Sequence, residues 1–281
     1  MKVFLAGCGT MGSGIAQTFA VNGYEVVMFD RTMELVDRGY AMIEKQLRRQ
    51  EEKGRMTADE VDAALLRLSR SIDLNDSYDA SLVLEAIYEE MGAKRALFEA
   101  LDVICAPECL FGSNTSSLSI TEMASGLQHA ERFLGIHFFN PAPVMKLVEI
   151  IRGDATSDET MKAALDFVRS IGKEPVICRE SPGFIVNRVL IPMINEAVDL
   201  LEHGVASRED IDQAMKLGAN HPMGPLELAD FIGVDIVLAI MEVLYSETGD
   251  SKYRPSLMLK RLVRAGKLGR KSGEGFYQYK K

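Results

Sequence analysis

No apolar run in this chain approaches the length of a membrane span. Positive charge is in deficit, with 32 lysines and arginines against 41 acidic residues and a net charge of −9. That balance argues against a protein built to bind nucleic acid or a membrane surface, while leaving room for a local basic site for an anionic ligand. Cysteine is scarce. Cys8, Cys105, Cys109 and Cys178 fall at no metal or redox spacing, and Pro107 argues against a helix face shared by the middle two. Reduced thiols in a cytoplasmic chain are expected. Histidine is scarce too: four residues limit the choice of a group that exchanges protons near neutral pH. Internal repeats and low-complexity stretches are lacking. The first six residues begin like a signal peptide, but the apolar part is too short and glycines interrupt it. With the first strand at residues 3–6 no transit extension is expected, and Lys280-Lys281 does not read as a peroxisomal address. What the chain does have is 47% hydrophobic residues and a length of 281, ample for a buried core and suggestive of two domains.

Residues 1–30 carry the densest pattern. Val3-Phe-Leu-Ala6 is an apolar run of strand length, and Gly7-Cys-Gly9-Thr10-Met11-Gly12 follows at once. Ile15, Ala16, Phe19 and Ala20 then recur at helical spacing until Asn22-Gly23. Val26-Val-Met-Phe29 is a second strand, closed by Asp30. Gly7 permits the tight turn, Gly9 lets backbone approach a pyrophosphate, and Gly12 lets the helix pack on the strand. Unpaired N–H groups and the dipole at the helix start favour an anion there. Asp30, 18 residues past Gly12, can accept both ribose hydroxyls of adenosine and repels a 2′-phosphate. NAD is therefore expected, with NADP possible because Arg31 sits beside that acid. The bland alternative is a glycine-rich turn that binds nothing.

After Asp30, Thr32 caps a long helix with Leu35, Val36, Gly39, Met42, Ile43 and Leu47 at helical spacing. Gly54 breaks it, and Thr57 with Glu60 forms a capping box for a helix carrying Val61, Leu65, Leu66 and Leu68. This hairpin exceeds an ordinary crossover. Its basic tip, Lys45, Arg48, Arg49, Lys53 and Arg55, reads either as a solvated face or as a site for an anionic second ligand. Strands are expected at residues 81–87, 109–112, 132–139, 145–151 and 176–178, with a helix from Lys94 and another capped by Ser157. That alternation predicts a mostly parallel sheet with helices on both faces. Strand patterns stop at Ser181-Pro182-Gly183. Residues 184–201 read as an amphipathic helix with a kink at Pro192, ended by His203-Gly204. Ser207 opens the next helix, and more follow around 226–231, 234–245 and 257–263. The fold class is thus α/β: an N-terminal Rossmann-type, mostly parallel sheet with a helical hairpin insertion, then an all-α C-terminal domain. The expected domains are residues 1–182 and 183–281. Ile185, Val189, Met193, Val198 and Leu201 suggest a face buried against a second copy, or else within one chain.

A nicotinamide enzyme that oxidises an alcohol needs a base for the hydroxyl proton. His129 lies in a polar loop, His203 at a helix end and His221 in a Pro/Gly turn. His137 closes the apolar run Phe133-Leu-Gly-Ile-His137, just before Asn140-Pro141. Composition alone reads it equally as a base or as a satisfied core histidine. Glu149, 12 residues on in the next strand, favours the base, because a turn at residues 141–143 can set the strands side by side. A carboxylate on the second ring nitrogen fixes the imidazole and stabilises its charged form. The alternative for Glu149 is a surface acid paired with Lys146 or Arg152. Ser116 lies in a loop beyond the carboxyl end of a strand, where open α/β sheets bind ligands, though such loops are also ordinary turns. Asn187, near the start of the long helix, could donate to a carbonyl or simply begin the helix.

Together these residues closely resemble the L-3-hydroxyacyl-CoA dehydrogenase family, and within it the short bacterial 3-hydroxybutyryl-CoA dehydrogenases. The matching stretches include residues 7–14, Glu85-Ala-Ile-Tyr-Glu89, Ser113-Asn-Thr-Ser-Ser-Leu118, residues 135–149, Pro182-Gly-Phe-Ile-Val-Asn-Arg188, residues 214–218, His221-Pro-Met-Gly-Pro225 and Gly273-Glu-Gly-Phe-Tyr277. The resemblance implies a base at His137, its orienting acid at Glu149, a serine at the substrate hydroxyl at Ser116, and an asparagine near the thioester carbonyl at Asn187. It implies cofactor contacts at Glu89, Lys94, Asn114, Ser116 and Asn140 beside those of the glycine turn and Asp30. Lys53 falls where the family meets the nucleotide end of CoA. The resemblance further implies an acyl-CoA substrate bound between domains and a homodimer. Two other readings stay open: a dehydrogenase of this architecture acting on a free hydroxy or sugar acid, and a non-catalytic NAD-binding structural protein.

Overall fold

Val3, Phe4, Leu5 and Ala6 are completely buried, as a central strand covered on both faces must be. The computed structural model describes residues 1–279, so the Lys280-Lys281 end lies outside the described residues. Two units divide the chain, Met1–Glu180 and Ser181–Lys281.

The first unit runs β1 (Lys2–Ala6), α1 (Thr10–Val21), β2 (Glu25–Phe29), α2 (Met33–Glu52), α3 (Ala58–Leu66), β3 (Leu68–Ser71), β4 (Leu82–Glu85), α4 (Met91–Ile104), β5 (Leu110–Ser113), α5 (Ile120–Ala124), β6 (Phe133–Phe138), β7 (Leu147–Arg152), α6 (Asp158–Ser170) and β8 (Glu174–Arg179). The strands form one sheet in the order β3-β2-β1-β4-β5-β6-β7-β8. Every neighbouring pair is parallel except β6 with β7. The Rossmann-type sheet with a helical hairpin is therefore present.

Side-chain alternation assigns the two faces. Val3, Leu5, Val26, Met28, Leu82, Leu84, Ile136, Val148 and Ile150 share one core with Ile15 and Phe19 of α1, Ile43 and Leu47 of α2, and Ala164 of α6. The intervening residues face the other way, where the Phe98 ring of α4 packs edge-to-face on Phe133 and at a tilt to Phe111.

The hairpin's stops are the ones its sequence signals. The Thr32 hydroxyl accepts from the Leu35 amide, and Thr57 and Glu60 form a reciprocal capping box. Leu68 departs from expectation. It opens β3, a four-residue strand parallel to β2, rather than continuing α3. The α5 turn was likewise not expected. Both elements are too short to show a period, and β3 gains its order by pairing with β2.

Among the described residues of the second unit the regular elements are helices: α7 (Val186–Glu202), α8 (Arg208–Gly218), α9 (Pro225–Ile232), α10 (Val234–Thr248) and α11 (Leu257–Arg264), followed by isolated β-bridges at Gly269, Glu274 and Gln278. Pro192 lies inside α7, and His203 forms the helix end, with its Nδ1 on the Asp199 carbonyl. The apolar face expected on α7 divides. Val198 is completely buried in the unit's own core, whereas Ile185 and Val189 are 40% and 69% exposed. Met193 and Leu201 pack against that same core. The face is thus mostly an internal one.

Candidate active site

The turn after β1 is shaped by contacts that exclude side chains. Gly7 has φ of 103°, which disfavours any L side chain, and a Cβ on Gly12 would strike the Gly7 carbonyl. The N-cap of α1 is Gly9, which offers no side-chain cap, and the first turn holds no acid. The other helices of this unit each begin with a capping Thr, Glu or Ser side chain. The start of α1 is thus the one left for an exogenous anion among the α-helices of this unit. It borders a cavity of about 680 Å³ lined by Gly7, Gly9, Thr10, Asp30, Arg31, Arg38, Ile87 and Tyr88, among others. Asp30 Oδ2 accepts from the Cys8 amide at 2.9 Å and Oδ1 from the Arg31 amide at 2.7 Å, which fixes the carboxylate at the cavity wall. The Arg31 guanidinium lies 5.6 Å from the centre of the Tyr88 ring. These features fit the pyrophosphate and adenosine of a dinucleotide. Met11 is partly buried against the core and is not part of the cavity wall.

At the carboxyl end of β4 lies an ion network whose centre is Lys94, 1% exposed. Its ammonium is 2.6 Å from Glu85 Oε1 and 3.1 Å from Glu89 Oε2. Glu85 also accepts from the Ser113 hydroxyl and the Ile87 amide. Glu89 Oε1 accepts from the Ser116 amide at 3.1 Å, the Ser117 hydroxyl at 3.2 Å and the Thr115 hydroxyl. Burial pushes the Glu85 carboxyl above the usual carboxylate range, with the Lys94 charge the main opposing influence. Burial also acts to raise Glu89, but the Lys94 charge and the hydrogen bonds from Thr115 and Ser116 outweigh it and hold that carboxyl low. Asn114 Oδ1 accepts from the Phe138 amide at 2.8 Å, tying this loop to the strand that carries His137.

His137 and Glu149 stand opposite each other in the antiparallel β6–β7 pair. Opposed residues share a face, and the His137 Nδ1 lies 2.7 Å from Glu149 Oε2. Their side chains are 7% and 1% exposed. Glu149 is therefore not a surface acid, and Arg152 pairs with Asp158 instead. The Phe139 ring packs 4.5 Å from the imidazole. Residues 139–146 make the connection, with a cis Asn140–Pro141 bond and an exposed Asn140.

The other candidates have simpler surroundings. Lys53 is exposed at the C-cap of α2. Part of its basic surroundings is neutralised, since Arg48 pairs with Glu51 and Asp62. Asn187 lies in the first turn of α7, in the second unit. Glu85 is the member of the Lys94 ion network that sequence reasoning did not single out. A lone acid in the apolar strand Leu82-Val-Leu-Glu85 was the available signal.

Residues 2–181 match the family model described as 3-hydroxyacyl-CoA dehydrogenase, NAD binding domain, and residues 183–279 match its C-terminal domain. The chain belongs to the 3-hydroxyacyl-CoA dehydrogenase family. Its coenzyme is NAD. The chain is 52% identical over 278 residues to the probable 3-hydroxybutyryl-CoA dehydrogenase of Bacillus subtilis, covering 99% of this chain and 97% of that one. It is 50% identical over 281 residues to the 3-hydroxybutyryl-CoA dehydrogenase of Clostridioides difficile, covering all of both. The crystal structure of (S)-3-hydroxybutyryl-CoA dehydrogenase from Ralstonia eutropha superimposes with a TM-score of 0.96 at 48% identity, covering 100% of this chain and 99% of that one. As a member of this family the chain is an oxidoreductase. Among the described residues no helix is long and apolar enough to cross a membrane, and no cluster of side chains could hold a metal ion.

Proposed function

We propose that this dehydrogenase interconverts short (S)-3-hydroxyacyl-CoA, 3-hydroxybutyryl-CoA above all, and the 3-oxoacyl-CoA, with His137 as general acid and base. The observation that carries the reading is the buried His137–Glu149 pair at 2.7 Å. Bound NAD supplies the hydride acceptor. With Nδ1 tied to Glu149, the substrate proton is exchanged at Nε2 of His137. Glu149 orients the ring and stabilises the imidazolium that proton uptake creates. Ser116 hydrogen-bonds the substrate hydroxyl from a loop anchored on Glu89. Glu89, Lys94, Asn114 and Asn140 serve the nicotinamide half of the coenzyme. The roles of Asn187 at the thioester carbonyl and Lys53 at the nucleotide end of CoA rest on the family motifs. The first unit is the coenzyme domain, and the second serves substrate binding and homodimer formation in a cytoplasmic enzyme.

The test is turnover of acetoacetyl-CoA with NADH. Replacing His137 with Gln lowers kcat by about 10²- to 10⁴-fold, the usual worth of a general acid–base, while NADH still binds. Near-normal turnover removes the assignment. Lys53→Glu raises KM for the CoA substrate and leaves a free 3-oxo acid unaffected; the opposite pattern favours a dehydrogenase of free acids.

A further inference from the structure

Glu85, Ser113, His137 and Glu149 lie on one face of the sheet. Their strand neighbours Leu84, Ile136, Val148 and Ile150 belong to the core on the opposite face. Glu85 pairs across the sheet with Ala6, the last residue of β1 before the glycine turn, and with Ser113, the last residue of β5 before the Ser116 loop. Its carboxylate is fully buried and accepts from three groups: the Lys94 ammonium, the Ser113 hydroxyl and the Ile87 amide. Lys94 then reaches Glu89, and Glu89 holds Thr115, Ser116 and Ser117. A buried ion pair adds little net stability over well-packed apolar residues, because taking both charges out of water offsets their attraction. What this pair does fix is geometry, since each oxygen of Glu85 has an assigned donor.

We propose that Glu85 is a positioning residue for catalysis. Its buried carboxylate anchors Lys94, Lys94 fixes Glu89, and Glu89 sets the loop that presents Ser116. The inference rests on the reading of Ser116 as the group that holds the substrate hydroxyl. Glu85 itself touches neither substrate nor coenzyme. Removing its charge leaves Lys94 to a single carboxylate and draws Glu89 away from the loop amide and hydroxyls it now accepts from.

The test is a double-mutant cycle on the full chain, with acetoacetyl-CoA and NADH as substrates and kcat as the readout. Glu85→Gln lowers kcat by about 10- to 100-fold, the cost of misplacing a reacting group by about 1 Å. In a Ser116→Ala background the same change costs less than about threefold, because the group it positions is gone. A merely structural role lowers the melting temperature but gives additive effects on kcat. Wild-type kcat in Glu85→Gln beside an impaired Ser116→Ala sinks the proposal alone, and so does an undiminished Glu85→Gln loss in the Ser116→Ala background. Wild-type kcat in Ser116→Ala sinks the reading of Ser116 and this proposal with it. Should Glu85→Gln fail to fold, Glu85→Asp, which keeps the charge but withdraws it by one methylene, enters the same cycle with the same expected non-additivity.

Discussion

Replacing Glu149 with Gln isolates one quantity, the attraction between its carboxylate and the imidazolium on His137. The side chains are 1% and 7% exposed and their nearest atoms are 2.7 Å apart, so solvent screens them little. Charge centres about 4 Å apart attract by about 4 kcal/mol at an effective dielectric of about 20. At about 1.4 kcal/mol per decade, that is about a thousandfold in the rate of acetoacetyl-CoA reduction, in which His137 must arrive charged. The substituted amide still fills the same space, and its oxygen still accepts from Nδ1. Stability is expected to change little, because a neutral imidazole beside a neutral amide leaves no buried charge without a counter-ion. The assay is initial-rate loss of NADH absorbance, with NADH affinity by fluorescence and a thermal melt on the same samples. The prediction is a thousandfold fall in kcat, unchanged NADH affinity and a melting temperature within a few degrees of wild type. Turnover within about tenfold of wild type would refute the electrostatic argument. A collapse of the melting temperature would show that the pair serves the fold rather than the reaction.

Asp30 and Arg31 divide the choice of coenzyme between them. Asp30→Ala raises KM for NADH and narrows its margin over NADPH, whereas Arg31→Ala raises KM for NADPH more than for NADH; equal shifts for both coenzymes in both variants contradict the assignment. Burial, and secondarily Asp30, push the Cys8 thiol up to about 12. Burial, and secondarily Glu149, push Cys178 up to about 11. Both thiols ionise more readily in the unfolded chain, so they make the fold lose stability as pH rises above about 8.5. In the native enzyme their alkylation by iodoacetamide is slow at pH 8 and rises about tenfold per pH unit toward 11; mass spectrometry showing rapid labelling of either at pH 8 contradicts the burial argument.

Legibility in the sequence followed the range of the forces involved. The turn after β1 and the caps at Thr32, Thr57, Ser157 and Ser207 depend on residues within a few positions, and they appear where local chemistry puts them. The His137–Glu149 pair was legible for the same reason, since only a short connection separates its strands. β3 was not, because four residues pair only once β2 is already in place. The Lys94 network draws on β4, α4 and the loop after β5, up to 28 residues apart, and no local period encodes it. For the face of α7 the sequence leaves two coverings open, because helical spacing shows that a side is apolar without showing which neighbour covers it; Val198 lies in the unit's own core.

The reversal at β7 is what allows the His137–Glu149 pair. Only residues 139–146 separate β6 from β7, whereas a crossover to a parallel neighbour takes a dozen residues or more. A short turn makes the strands antiparallel, and antiparallel pairing sets residues directly opposite with side chains on the same face. His137 then meets Glu149, while Phe138 meets Val148 and Ile136 meets Ile150. Those four apolar side chains are at most 2% exposed, all in the core beneath α1 and α6. A slip of one residue would drive Glu149 into that core and bring Val148 and Ile150 out, so the apolar alternation holds the register. The ionisable pair thus inherits its alignment from hydrophobic packing on the far side of the sheet, not from its own attraction. That is why the neutral substitution at Glu149 is expected to cost turnover and spare the fold.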